Sequence, residues 1–222
     1  MKKFKCLLTA MLLACSSASF AQFTNGGSSS DRTPWKGVRF SYDRTFVNQD
    51  WEGSEDSDMN GFNIGYVHSF SIAKKLPFFF ETGLGLGFAR YSDSYSYDGE
   101  SLDEKLTTLG LTVPLNVVYK ININDKLALK PYTGFYLRVN LMAKNKWEYS
   151  DEDGSVDETY NLFDEDEVGK DGKWNRCQFG WQIGATLDIN RFNVGIGYAL
   201  DFNEIADKTK CGIFSARVGY NF

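Results

Sequence analysis

From Val38 to the last residue, apolar and polar positions alternate with a period of two, the spacing that sends successive side chains to opposite faces of a β-strand. Val38, Phe40, Tyr42 and Phe46 alternate with Arg39, Ser41, Asp43 and Thr45. Phe62, Ile64, Tyr66 and His68 oppose Gly61, Asn63 and Gly65, and Phe80, Leu84, Leu86 and Phe88 oppose Glu81, Gly83, Gly85 and Gly87. The pattern returns over 109–119, 133–141, 179–187, 192–200 and 214–222, which predicts eight strands in all. Short turns are expected at 74–77, 123–126 and 190–191, and long polar loops at 48–59, 92–104, 144–175 and 203–210.

An even number of antiparallel strands, with turns at one end and long loops at the other, is the layout of an eight-stranded up-and-down transmembrane β-barrel. Alternation alone also fits a lipocalin-like barrel with its apolar face inward around a ligand. The small and charged face decides between them. Rows such as Gly83, Gly85 and Gly87 weaken a strand that faces water, but fit a narrow lumen filled by interdigitating side chains. Rings also gather near the expected interfaces: Trp35, Phe78, Phe79, Phe192, Tyr220 and Phe222 toward the turns, and Tyr91, Trp147 and Trp174 toward the loops. The apolar rows are therefore expected to face lipid.

Composition agrees. Of 222 residues, 18 are Phe, 12 Tyr and 21 Gly, and 24 Lys and Arg stand against 29 Asp and Glu. A net charge of −5 lacks the basic footprint of a nucleic-acid binder. Beyond the first twenty-odd residues no apolar run reaches the ~18 residues of a membrane-spanning helix. Lys2, Lys3 and Lys5, an apolar stretch from Cys6 to Ala14, and Ser19-Phe20-Ala21 before Gln22 read as a secretory signal peptide over 1–21. A lipobox at Leu12-Leu13-Ala14-Cys15 is the rival reading. The expected order is then leader, a Gly/Ser-rich segment over 22–35, and a barrel domain over 36–222, with the loops outside the cell and the turns in the periplasm.

Arg39, Asp43, Glu81, Arg138 and Arg217 fall on the inward face and are expected to form an interior polar plug, with Asp43 and Arg217 pairing across the closing seam. An open pore is not expected from eight strands. Cys177 and Cys211, outside the leader, are a disulfide candidate in an oxidising compartment. His68 is the sole histidine, followed by Ser69 and Ser71, so a lipid-modifying enzyme would depend on it; its lipid-facing, turn-end position argues for interfacial packing. The acid-rich stretch over 144–175 reads as a solvated mobile loop suited to a cationic partner, or to lipopolysaccharide through divalent ions. Its Asp164-x-Asp166-x-Val168-Gly169 lacks the full oxygen set of a calcium loop. No cofactor is expected.

Terminal Phe222, with Tyr220 and Val218 on its face, resembles the C-terminal signature by which outer-membrane barrels are recognised for insertion. Together with Val113-Pro114-Leu115 and Lys130-Pro131-Tyr132, the chain from Lys36 to Phe222 resembles the PorT-like outer-membrane β-barrel domain proteins of Gram-negative bacteria. The resemblance implies an envelope barrel and carries over no functional residues; the partners expected of such a barrel are outer-membrane lipid and lipopolysaccharide, the insertion machinery, and an extracellular or envelope protein. The expected role is a non-enzymatic structural or surface-interaction barrel; the alternatives are the His68-dependent enzyme and a minor solute channel.

Overall fold

The computed structural model describes residues 33–49, 57–74, 76–97, 100–151 and 154–222. The leader, most of the segment over 22–35 and the centre of the first loop lie outside them. Among the described residues there are ten strands and one short helix: β1 (Lys36–Gln49), β2 (Ser57–Ser71), β3 (Phe78–Tyr97), β4 (Glu100–Tyr119), β5 (Ile121–Asn124), β6 (Leu127–Asp151), β7 (Gly154–Asn161), α1 (Glu165–Gly172), β8 (Cys177–Ile189), β9 (Phe192–Asp201) and β10 (Thr209–Asn221).

Eight of the strands close on themselves. Each of β1, β2, β3, β4, β6, β8, β9 and β10 pairs antiparallel with the next, β4 meets β6 directly, and β10 returns to β1 from Gly37↔Asn221 to Gln49↔Thr209. Closure leaves no sheet edge along the wall. One register shift, at Leu109/Gly110 between β4 and β6, interrupts the ladder. The strands expected from period-two alternation are the wall strands, and the apolar rows point outward: Phe62 is 53% and Ile64 60% exposed on the outer surface. No helix among the described residues is long and apolar enough to cross a membrane.

Two expectations about loops are corrected. Residues 92–97 and 100–104 are strand and not loop, because β3 and β4 stay paired from Ser92↔Lys105 to Tyr97↔Glu100. Most of 144–175 is ordered as well: β6 runs on to Asp151, β7 folds back on it, and α1 follows. Tyrosines such as Tyr91, Tyr95 and Tyr97 suit strands, and the ladders continue past the rim as a four-stranded sheet in the order β3-β4-β6-β7.

Several rings also take other places. Trp35 and Phe79 lie inside the turn end, clustered with Val118 and Tyr132. Tyr91 and Trp174 pack inward at the loop end. Strand parity explains these positions: Phe79 and Tyr91 share the inward register of Glu81. The outward rings at the turn end are pairs such as Phe78–Tyr119 and Phe192–Tyr220, with centroids 4.8 and 5.3 Å apart.

Candidate functional site

The inward face is built by large side chains seated on glycine. A Cβ at Gly180 would come within 2.5 Å of the Tyr136 hydroxyl, and one at Gly184 within 2.3 Å of that of Tyr132. The glycine positions of β8 and β9 are thus sockets for the tyrosines of β6 and let a narrow barrel hold bulky polar groups.

Arg39, Asp43, Glu81, Arg138 and Arg217 all line a lumenal cavity of about 140 Å³. Two buried ion pairs run through the lumen: Lys130 Nζ lies 2.7 Å from Asp188 Oδ2, and Arg138 Nη2 2.7 Å from Asp201 Oδ2. Asp201 also accepts from the Tyr136 hydroxyl. Trp35 Nε1 donates to Glu81 Oε2 at 2.7 Å, Arg39 Nη2 donates to Asn221 Oδ1 at 2.8 Å, and Asn221 Nδ2 donates to Asp188 at 3.3 Å. The Lys130 ammonium stands 4.0 Å from the centre of the Trp35 ring. A charge out of water is tolerable only when paired in this way.

The expected Asp43–Arg217 pair does not form. The register sets Ser41 opposite Arg217, whose guanidinium lies over the Tyr132 ring at 5.2 Å, and neither Asp43 Oδ1 nor Arg217 Nε has a hydrogen-bond partner in the protein. Lys130, Asp188 and the lumenal rings escaped the sequence reading. Lys130 and Tyr132 precede the recognised run of β6 yet share the parity of Arg138, the one signal that could have placed them inside.

An apolar cluster stands at each end of the lumen. Trp35, Phe79, Val118 and Tyr132 close the turn end. At the loop end Val47, Met59, Ile205 and Cys211 form a second cluster, against which Ala89, Tyr91, Leu106 and Trp174 pack. Ile205 comes from the β9–β10 loop, which folds inward as a lid: Asn175 N donates to Ile205 O at 2.6 Å, and Ile205 N to Thr209 O at 2.8 Å.

The two thiols are free, which corrects the disulfide expectation. Cys211 is buried in the lid cluster and Cys177 is exposed at the loop-end start of β8. One strand intervenes and their parities differ, so the side chains diverge. His68 lies on the outer face at the turn end, 4.5 Å from the Phe70 ring, whereas the Ser69 hydroxyl faces inward and donates to Trp35 O at 3.0 Å. Histidine and serine thus sit on opposite faces of β2. Asp164 caps α1 by accepting from Asp166 N at 3.1 Å, and among the described residues no group of three or more His, Cys, Asp or Glu could hold a metal ion. Val218 and Phe222 are exposed on the outer face at the turn end, with Tyr220 between them and its ring 6.2 Å from that of Phe222.

A closed antiparallel ring with an apolar exterior and a polar, ion-paired interior defines a transmembrane β-barrel. The chain belongs to the outer membrane protein β-barrel domain family, whose model matches residues 20–207, and it is a protein of the cell outer membrane. No curated protein matches it by sequence. Among solved structures it is similar to Ail, the attachment invasion locus protein of Yersinia pestis, at 16% identity over 85% of this chain and 98% of that one, with a TM-score of 0.42. It is also similar to Neisserial surface protein A, at 14% identity over 84% and 97% of the two chains with a TM-score of 0.44. The N-terminal β-barrel domain of Pseudomonas aeruginosa OprF matches at 14% identity over 86% and 100%, with a TM-score of 0.32.

Proposed function

We propose that the protein is a non-enzymatic outer-membrane barrel that holds its acid-rich loop-end elements outside the cell, where they engage an envelope or extracellular partner. The observation that carries this reading is the contrast between the two parts of the molecule. The lumen is crossed by ion pairs between two apolar clusters, while the elaborated structure, β7, α1 and the long ends of β3, β4 and β6, stands beyond the loop-end rim. The resemblance to PorT-like barrels carried by Val113-Pro114-Leu115 and Lys130-Pro131-Tyr132 adds a finer family placement, and the Val218, Tyr220 and Phe222 row a recognition element for the insertion machinery.

The enzyme alternative loses support because the Ser69 hydroxyl beside His68 faces the opposite side of the strand, and the channel alternative because apolar clusters around Trp35 and Ile205 stand at the two ends of the lumen. Protease added to intact cells tests the orientation. Cleavage is expected near residues 151–154, at the tip joining β6 to β7; protection in intact cells with cleavage only after outer-membrane permeabilisation would reverse the proposed orientation.

A further inference from the structure

The sheet beyond the rim has two chemically different faces. Register is continuous from Tyr91↔Leu106 to Tyr97↔Glu100, from Ser101↔Ser150 to Leu106↔Asn145, and from Asn145↔Tyr160 to Asp151↔Gly154, so each strand keeps the barrel's inside-outside parity to its tip. The outer face carries Ser and Thr residues together with Lys105 and Lys146, which sit 3.3 and 3.9 Å from Glu148; Lys105 also approaches Asp103 at 3.5 Å, and Lys146 approaches Asp157 at 3.0 Å. Charge there is locally compensated.

The inner face, which overlooks the barrel mouth, differs. It presents Tyr95, Tyr97, Leu102, Trp147, Tyr149 and Val156 from four strands, of which Tyr95 is 66%, Tyr97 71% and Val156 63% exposed. Between them stand Asp93, Glu100, Glu104, Asp151 and Glu158, and among the described residues of this face there is no lysine, arginine or histidine. Exposed rings on a sheet are costly to leave in water and are the usual anchors of a binding surface. Carboxylates spaced among them raise the local concentration of cations, and the faces of Trp and Tyr attract ammonium and guanidinium groups directly. The same chain already uses this contact at Arg176, whose guanidinium lies 3.9 Å over the Phe163 ring.

We infer that the inner face of the projecting sheet is a docking platform for an extended arginine- and lysine-rich polypeptide segment, held by rings below and carboxylates between them. The inference rests on the proposed outward orientation and names the chemistry of the partner. Charge complementarity selects this occupant over a neutral carbohydrate: ring stacking alone would suit a sugar, whereas carboxylates spaced among the rings add nothing for one.

The test is direct binding of a synthetic decapeptide of alternating arginine and serine to the full-length protein in lipid nanodiscs, with neutral maltoheptaose as the competing probe. Removing Glu100, Glu104 and Glu158 together as glutamines should weaken peptide binding about tenfold, since three exposed charge contacts of a few tenths of a kcal/mol each sum to that factor. Asp103→Asn, Glu148→Gln and Asp157→Asn together change net charge equally but lie on the outer face, and should shift affinity less than about twofold. Trp147→Ala should weaken binding even at salt concentrations that screen the carboxylates, and lysine in place of arginine in the peptide should bind less well. Retained heat-modifiable mobility on a gel shows that each variant barrel is folded. Equal losses from the two triple variants, or binding of maltoheptaose without the peptide, overturn the inference. Failure of the orientation reads differently: a tag at residues 152–153 that antibody cannot reach on intact cells removes the outward face itself. A reachable tag with wild-type peptide binding by the inner-face triple variant removes only the platform.

Discussion

Lys130 and Asp188 show what the lumen demands of single residues. The Lys130 side chain is 2% exposed, and its ammonium lies 2.7 Å from the carboxylate and over the Trp35 ring, so each charge depends on the other. Asp188→Ala should cost about 3–5 kcal/mol, the penalty for stranding a buried charge, read as loss of unfolding free energy in detergent. Adding Lys130→Met should recover part of that loss, because an apolar replacement removes the stranded charge. Asp43→Asn should change stability far less, since Asp43 Oδ1 has no partner to lose; a loss as large as that of Asp188→Ala would show that Asp43 and Arg217 pair after all. On the outer face, His68→Ala should leave lipid A composition unchanged, because the imidazole packs on Phe70 and the neighbouring Ser69 hydroxyl faces the other side of the strand. Altered lipid A in that strain would revive the enzyme reading.

At the scale of elements, the extended hairpins behave differently from the wall. Their ladders stand in water, so local charge and hydrogen bonds set how long they stay closed. The Asp103 carboxyl at the β3–β4 tip is held below the usual aspartate range, first by the Ser94 hydroxyl and then by Lys105. A carboxyl lowered by folding adds stability that is present above its unfolded value and disappears as pH falls through the lowered one. Amide hydrogen exchange at the β3–β4 tip should therefore stay slow as pH drops to the ordinary aspartate value of about 4 and, after correction for intrinsic rates, accelerate only below it. Asp103→Asn should abolish that acid step. The closing seam is the other element with a test. Phe222 N donates to Lys36 O at 2.9 Å, so the terminal residue still belongs to the β10–β1 junction, and its exposed ring lies where the turn-end interface should be. Deleting Phe222 should leave unassembled chain in the periplasm without a heat-modifiable form; normal assembly would show the ring to be dispensable.

Among the described residues the molecule is a ring of eight wall strands with an apolar cluster at each end of its lumen. Those two clusters flank a cavity of about 140 Å³, and the lid carrying Ile205 is tied by backbone hydrogen bonds to Asn175 and Thr209. In planar bilayers the protein should show no stepwise conductance, and Ile205→Glu, which loosens only the lid, should not create any, because the Arg138–Asp201 and Lys130–Asp188 pairs and the Trp35 cluster still fill the lumen. Steady conductance in the unmodified protein would restore the channel alternative. Alternation by itself determined the eight wall strands, their antiparallel order, the lipid-facing rows and the inward set of Arg39, Asp43, Glu81, Arg138 and Arg217, because the side-chain period of a strand is two and a closed barrel has only two faces. Parity does not say which inward groups meet. That depends on stagger between strands, which brought Lys130 to Asp188 and Arg138 to Asp201 and left Asp43 beside an arginine it does not bond. The polar stretches over 92–104 and 144–175 read as loops because solvated strands lack an apolar row to mark them. Only cross-strand pairing turned them into a sheet, and only its register gathered Tyr95, Tyr97, Trp147 and Tyr149 on one face and the lysines on the other.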